Sequence, residues 1–222
     1  MMLEWNRNIG SIIQLFLVIV FFILLVINRK KLGPGIIYFI ISSGVVMALD
    51  AIIFIMRITV PQFNSTPLYT VGVNFFVFLL FFLYFHAILE LKRNKRLNLV
   101  LTFIFVVIYL LFAIFSDQFF YRFPYKFYFI EVIILLGNIY LVLHETFNTD
   151  KVLYIRSFYP FWACIGLMTI YLGVTPLLII SNSAMQLMNI NIFFIILFIV
   201  NVIGYSILIT GIFFAENINS RK

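Results

Sequence analysis

Charge is what this chain has least of: 10% of its 222 residues are Asp, Glu, Lys or Arg, whereas 64% are hydrophobic. A water-soluble domain of this size needs more polar surface than that to cover so much apolar area. Cysteine is almost missing. The one thiol, Cys164, has no partner, which excludes an internal disulfide and any dithiol redox chemistry within the chain. Histidine occurs twice, and there is no His-Glu-x-x-His run, Gly-rich phosphate loop, nucleophile elbow, Cys-x-x-Cys pair or haem-ligand pair. Neither enzyme activity nor a cofactor is therefore expected.

What the chain has instead is apolar length. Lipid offers backbone N–H and C=O groups no partners, so a segment that crosses it must close its hydrogen bonds internally as a helix. About 20 apolar residues suffice for a crossing. Seven such runs fall at Ile9–Asn28, Pro34–Met56, Leu68–Leu89, Leu97–Ser116, Tyr125–Leu143, Tyr159–Ile180 and Ile190–Ala215. The expected fold is all-α: a single domain over residues 1–222 forming a polytopic bundle of seven transmembrane helices. The longest connections, Arg57–Pro67 and His144–Phe158, are too short for a separate ligand-binding or catalytic domain. The first run lacks a small-residue cleavage site and ends in Asn28-Arg29-Lys30-Lys31, the pattern of a retained anchor rather than a cleaved signal.

The formal charge of +7 is explained by where the basic residues fall. Arg29, Lys30, Lys31, Lys92, Arg93, Lys95, Arg96, Lys151, Arg156, Arg221 and Lys222 gather on one side of the membrane. Arg7, Arg57, Arg122 and Lys126 lie on the other. The positive-inside rule then places the N-terminus outside and the C-terminus in the cytoplasm. No nucleic-acid partner is needed to account for the excess.

Polar residues at membrane depth are costly and point to function or to specific packing. Ser43, Asp50 and Arg57 recur at every seventh position of the second helix, so they share one face. Glu131, Asn138 and Glu145 do the same on the fifth. Asp50, Asn74 and Glu131 lie at similar depth in the outer half, which makes them candidates for one polar pocket with Arg57 or Arg122 at its rim. Two readings stand. The polar groups fix helix packing, or they receive a cation, a proton or a small polar ligand; burial disfavours the charged form of any carboxyl group, so proton sensing is one form of the second reading. At the inner surface His86, Glu90, His144 and Glu145 form a candidate metal or proton site if the third and fifth helices are neighbours, although interfacial His and Glu more often cap helices or face water. Asn138, Asn201 and Tyr205 suit packing near the midplane, with Gly204 permitting close approach. The seventh run contains no lysine, which excludes a retinal Schiff base formed there. Pro176, just after Gly173, is expected to kink or end the sixth helix. Trp5, Tyr121, Tyr125, Tyr159 and Trp162 suit interfacial anchors.

Phe161-Trp162, Gly166-Leu167, Tyr171 and the stretch Asn201–Tyr205 in a Leu/Ile-rich final helix resemble the seven-transmembrane input modules of Bacteroidetes-type membrane sensor proteins, which occur alone or ahead of histidine-kinase domains. The resemblance implies an outward-facing sensory module in a bacterial inner membrane. Only a few residues follow the last run, so it would signal through a separate membrane or cytoplasmic protein. A small transporter or channel is the second class; against the three-plus-one-plus-three sugar carriers, Pro61-Gln62 falls in a loop and the two halves show no evident repeat. An accessory subunit of a membrane complex is the third. The orientation is directly testable: a reporter that fluoresces only in the cytoplasm, fused after Lys222, is expected to be bright, and a reporter active only outside to be silent. The opposite pair of signals inverts the topology.

Overall fold

A computed structural model describes residues 7–60, 62–183 and 190–216; the expected anchor Trp5 and the basic pair Arg221 and Lys222 lie outside the described residues. Seven long helices account for most of them: α1 (Arg7–Asn28), α2 (Ile36–Thr59), α3 (Thr66–Ile88), α4 (Lys92–Phe115), α5 (Tyr125–Phe147), α6 (Tyr159–Ser183) and α7 (Ile190–Phe214). Their apolar spans run from 21 to 24 residues. At about 1.5 Å per residue each exceeds the roughly 30 Å of a hydrocarbon core. The molecule is a multi-pass membrane helix bundle.

Turn chemistry sets most of the helix starts. Gly33 and Gly35 both take positive φ, and α2 begins directly after Gly35. Pro34 therefore sits in the turn and not in the first helical turn. Pro67 and Pro160 occupy the first turns of α3 and α6, where a missing N–H is harmless, and Pro124 immediately precedes α5. α6 continues through Pro176 to Ser183, so the proline does not end it. α4 starts at Lys92, five residues before its apolar run, because Lys92–Arg96 form a polar helical turn at the bundle's end. Hydropathy locates the part of a helix that lipid covers, not the helix itself.

The helices close a ring. α1 packs on α2 and α7, α2 on α3, α4 on α5, α5 on α6 and α6 on α7, while α3 reaches both α4 and α5. Connections at the same end tie together: the Asn64 side chain donates to Tyr121 O across the α2–α3 and α4–α5 loops, 3.1 Å. Inside, the ring is filled by aromatic rings. Phe82 and Phe105 meet edge-to-face at 5.1 Å, Tyr109 and Phe127 at 5.5 Å, and Phe39 lies 4.9 Å from Tyr84. Tyr159 belongs to this core at 1% exposure, so it is not the interfacial anchor that its position at a helix end suggested. Outside, α4 presents Phe103, Ile114 and Phe115, each more than two-thirds exposed. Such a face is a liability in water and ordinary in lipid.

α6 and α7 make the tightest pair, and glycine is the reason. Gly166 and Gly173 lie seven apart on α6, Gly204 and Gly211 seven apart on α7, and a Cβ added at Gly166 would stand 3.3 Å from Gly204 O. A Cβ at Gly204 would collide with Ile170. In lipid, helix association rests on such close van der Waals contact. Gly204→Val is therefore expected to destabilise the bundle by about 1–3 kcal/mol through overpacking, read as a lowered thermal unfolding midpoint of the purified protein; an unchanged midpoint would show that the contact is dispensable.

Candidate functional site: a polar cavity at the N-terminal end of the bundle

The seven-residue repeat on α2 has a direct spatial consequence. Ser43, Asp50 and Arg57 all line one cavity of about 440 Å³ between α1, α2, α3, α5, α6 and α7. α3 delivers Tyr69, whose hydroxyl donates to Asp50 Oδ1 at 3.2 Å, and Asn74 on the same wall. α1 adds Gln14, a hydrogen-bond partner of the same carboxylate. α7 adds Asn201 and Tyr205. Asn201 donates one amide N–H to Leu197 O of its own helix at 2.8 Å. Both residues thus belong to the cavity wall rather than to packing alone. Arg57 is exposed at the mouth, between this cavity and a second recess lined by Phe54, Gln62 and Phe63.

Most of the remaining lining is aromatic or aliphatic. Phe21, Phe39 and Phe81 form the deep end, and all three belong to the packed core. One wall carries an unmet demand. Asn74 is 4% exposed and its Nδ2 donates to nothing among the described residues. A buried amide without a partner is costly, so an acceptor in the cavity would stabilise it.

The backbone that presents Asn74 is unusual. Tyr69–Val77 is π-helical, and Phe78 N–H is shared between Phe75 O and Val73 O. Such wide turns are rare and concentrate at functional sites. The segment can lie close to α2 because Gly72 faces Leu49, where any Cβ would collide. That approach brings Tyr69 within reach of Asp50.

Glu131 does not join Asp50 and Asn74 on the cavity wall. It is fully buried on α5, and neither carboxyl oxygen has a hydrogen-bond partner among the described residues. Tyr109 of α4, Tyr128 of α5 and Tyr171 of α6 lie within electrostatic reach of it. Tyr128 and Tyr171 also line the cavity, so each lies near both Glu131 and the cavity.

The inner cluster is divided rather than assembled. His86 Nδ1 lies 3.0 Å from Asn98 Oδ1, and the Asn98 amide donates to Asn138 Oδ1 at 2.6 Å and to Phe82 O at 3.2 Å. This network joins α3, α4 and α5 at mid-depth. The His144 ring lies tilted against Tyr140 at 5.7 Å. Glu145 does something else: its carboxylate accepts from Glu90 N–H at 2.6 Å, Leu91 N–H at 3.2 Å and the Asn94 amide at 3.1 Å. Lys151 bridges Glu145 at 3.4 Å and Glu90 at 3.1 Å. The acid from α5 thus caps the start of α4, where exposed amides and the helix dipole favour an anion. Its oxygens are already taken. Among the described residues no three His, Cys, Asp or Glu side chains are grouped as a metal site requires.

Asn94 and Asn98 were masked in the sequence by the basic residues around them, although their four-residue spacing, extended by Thr102, signals one helix face. Tyr69, Tyr109, Tyr128 and Tyr171 gave no such signal among 12 tyrosines and 29 phenylalanines. Glu145→Ala leaves buried amides unpaired and is expected to cost about 2–4 kcal/mol in unfolding. Glu90→Gln removes only the exposed arm of the Lys151 pair and is expected to cost under about 1 kcal/mol; equal losses would refute the capping role. Compared with known proteins, the chain matches no family model, no curated protein and no solved structure, so the likeness to bacterial sensor modules reaches no further than an all-α bundle of seven apolar helices.

Proposed function

We propose that this protein is a receptor-like membrane module, N-terminus outside, whose outward cavity binds a small organic cation with an apolar body. The observation that carries this reading is the pairing, in one cavity, of the Asp50 carboxylate with the unpartnered Asn74 amide, amid mostly apolar lining. The carboxylate suits an ammonium group. Tyr and Phe faces around it add cation–π attraction and bury the body. Asn74 asks for an acceptor, such as a hydroxyl, ether or carbonyl oxygen on the ligand. Arg57 at the mouth repels a cation approaching with its charge exposed and welcomes a ligand that also carries an anionic group.

The closed aromatic floor favours binding over passage. Phe39 stands one turn from the basic end of α2, and there Phe21, Phe39 and Phe81 belong to a core whose rings are almost fully buried. A ligand that enters from the outer side meets packing, not a path. Its binding energy is then available to shift α2, α3 and α7 relative to one another, which is the form a signal takes in a bundle. The resemblance noted above fits a module that hands this shift to a separate signalling protein.

The test uses purified protein in lipid nanodiscs and a panel of aryl-alkyl amines matched with their neutral alcohols. Amines are expected to raise the unfolding midpoint more than alcohols do, and Asp50→Asn to weaken amine binding at least about tenfold, equivalent to about 1.4 kcal/mol, without unfolding the bundle. Equal effects of amines and alcohols would remove the cation reading, and collapse of Asp50→Asn would assign the residue to packing. Saturable amine uptake into proteoliposomes would replace the receptor reading with transport.

A further inference from the structure

Two glutamates sit fourteen residues apart on the same face of α5, and their surroundings differ in kind. Glu145 is equipped to be an anion: two backbone amides, an Asn amide and a lysine surround its oxygens. Glu131 has none of these. It is 0% exposed, both of its oxygens lack a hydrogen-bond partner among the described residues, and no cation offsets it there. Burying a carboxylate without donors or countercharge is among the most unfavourable arrangements a helix bundle can hold, and lipid around it worsens the cost. Binding a proton removes the charge and makes one oxygen a donor.

The groups around Glu131 fit that chemistry. Within electrostatic reach of it are Tyr109 of α4, Tyr128 of its own helix, whose hydroxyl is hydrogen-bonded with Thr175, and Tyr171 of α6. α3 contributes Thr70, whose backbone carbonyl accepts from the Tyr109 hydroxyl at 3.5 Å. Thr70 Oγ1 and Asn74 Nδ2 are likewise buried without partners. The neighbourhood is therefore neutral and rich in hydroxyls. Among the described residues no hydroxyl hydrogen-bonds to Glu131, but a hydroxyl can donate to a carboxylate or accept from a carboxylic acid, so a side-chain movement that brings one into reach would follow the proton's arrival and departure. Two of these hydroxyls belong to Tyr128 and Tyr171, which also form the cavity wall.

We propose that Glu131 is a proton-binding site distinct from Asp50, and that Tyr128 and Tyr171 relay its occupancy to the cavity. The relay rests on the cavity being a ligand site, as proposed above; the proton site does not. Losing the proton places an anion behind the wall and draws the tyrosine hydroxyls toward it. A cation in the cavity then binds more tightly, and by reciprocity cation binding promotes proton release. The module would answer to acidity and to an amine jointly, with acid opposing the amine.

Infrared difference spectroscopy of the full chain in nanodiscs tests the site without any ligand. A carboxylic-acid C=O band is expected at neutral pH, lost at alkaline pH, absent in Glu131→Gln and retained in Asp50→Asn. Glu131→Asp, which keeps the acid, is expected to shift the band without abolishing it, and serves if Glu131→Gln fails to fold. Identical bands in the wild type and a folded Glu131→Gln would overturn the proton site. In the same spectra the tyrosine ring bands are expected to change as the carboxyl band titrates, and to stay fixed in Glu131→Gln. Tyrosine bands that ignore the titration would overturn the relay. If the acid band behaves as stated while no amine binds, the amine reading fails and the proton site stands.

Discussion

The buried face of α5 carries Glu131, Asn138 and Glu145 at intervals of seven, and the rest of the bundle is arranged around the need to satisfy them. Each lies in a different layer and meets a different answer. At the basic end Glu145 is saturated by the α3–α4 turn and by Lys151, which joins three helices in one cap. At mid-depth Asn138 is held by Asn98, itself bonded to Phe82 O and facing His86. At the N-terminal end Glu131 is left unanswered. Polar satisfaction thus runs out in one direction along a single helix, toward the end that also contains the cavity.

The two halves of the bundle differ in kind, although the buried Tyr84 and Tyr159 hydroxyls leave unmet hydrogen bonds in the basic half as well. The basic half combines the glutamate cap, the asparagine network and a dense aromatic core, all of which resist rearrangement. The other half combines a nine-residue π-helical segment with unpartnered groups on Thr70, Asn74 and Glu131 and an open cavity. Free energy stored in unmet hydrogen bonds is available to whatever supplies the missing partner. A protein that must respond to a small molecule needs that half; one that must keep its fold in lipid needs the other.

Much of the architecture was legible because lipid imposes a simple rule on sequence. Seven apolar runs of sufficient length give seven helices, and a heptad of Ser43, Asp50 and Arg57 gives one polar face that the cavity uses. Partner choice was not legible. Glu131 is expected beside Asp50 because both lie at the same depth, yet depth does not say which residues reach the cavity wall, and from α5 it is Tyr128 that does. Glu145 was a candidate metal ligand until the turn amides at Glu90 and Leu91 were found in its reach; their need arises from a helix start hidden under basic residues. The π-helical turns of α3 leave no trace in hydropathy, since they shift register by a residue without changing composition. Tyr159 read as an anchor from its place at a helix end, while its ring turns inward onto Phe39.

The cavity beside Asp50 is proposed to hold a molecule that meets both its carboxylate and the Asn74 amide. A high-resolution electron-microscopy map of the protein in lipid tests this. Non-protein density is expected within hydrogen-bonding distance of Asp50 and Asn74, with Glu131 off the cavity wall. A cavity closed by Asp50 bonding Asn74, or holding only a lipid tail that touches neither, would contradict it.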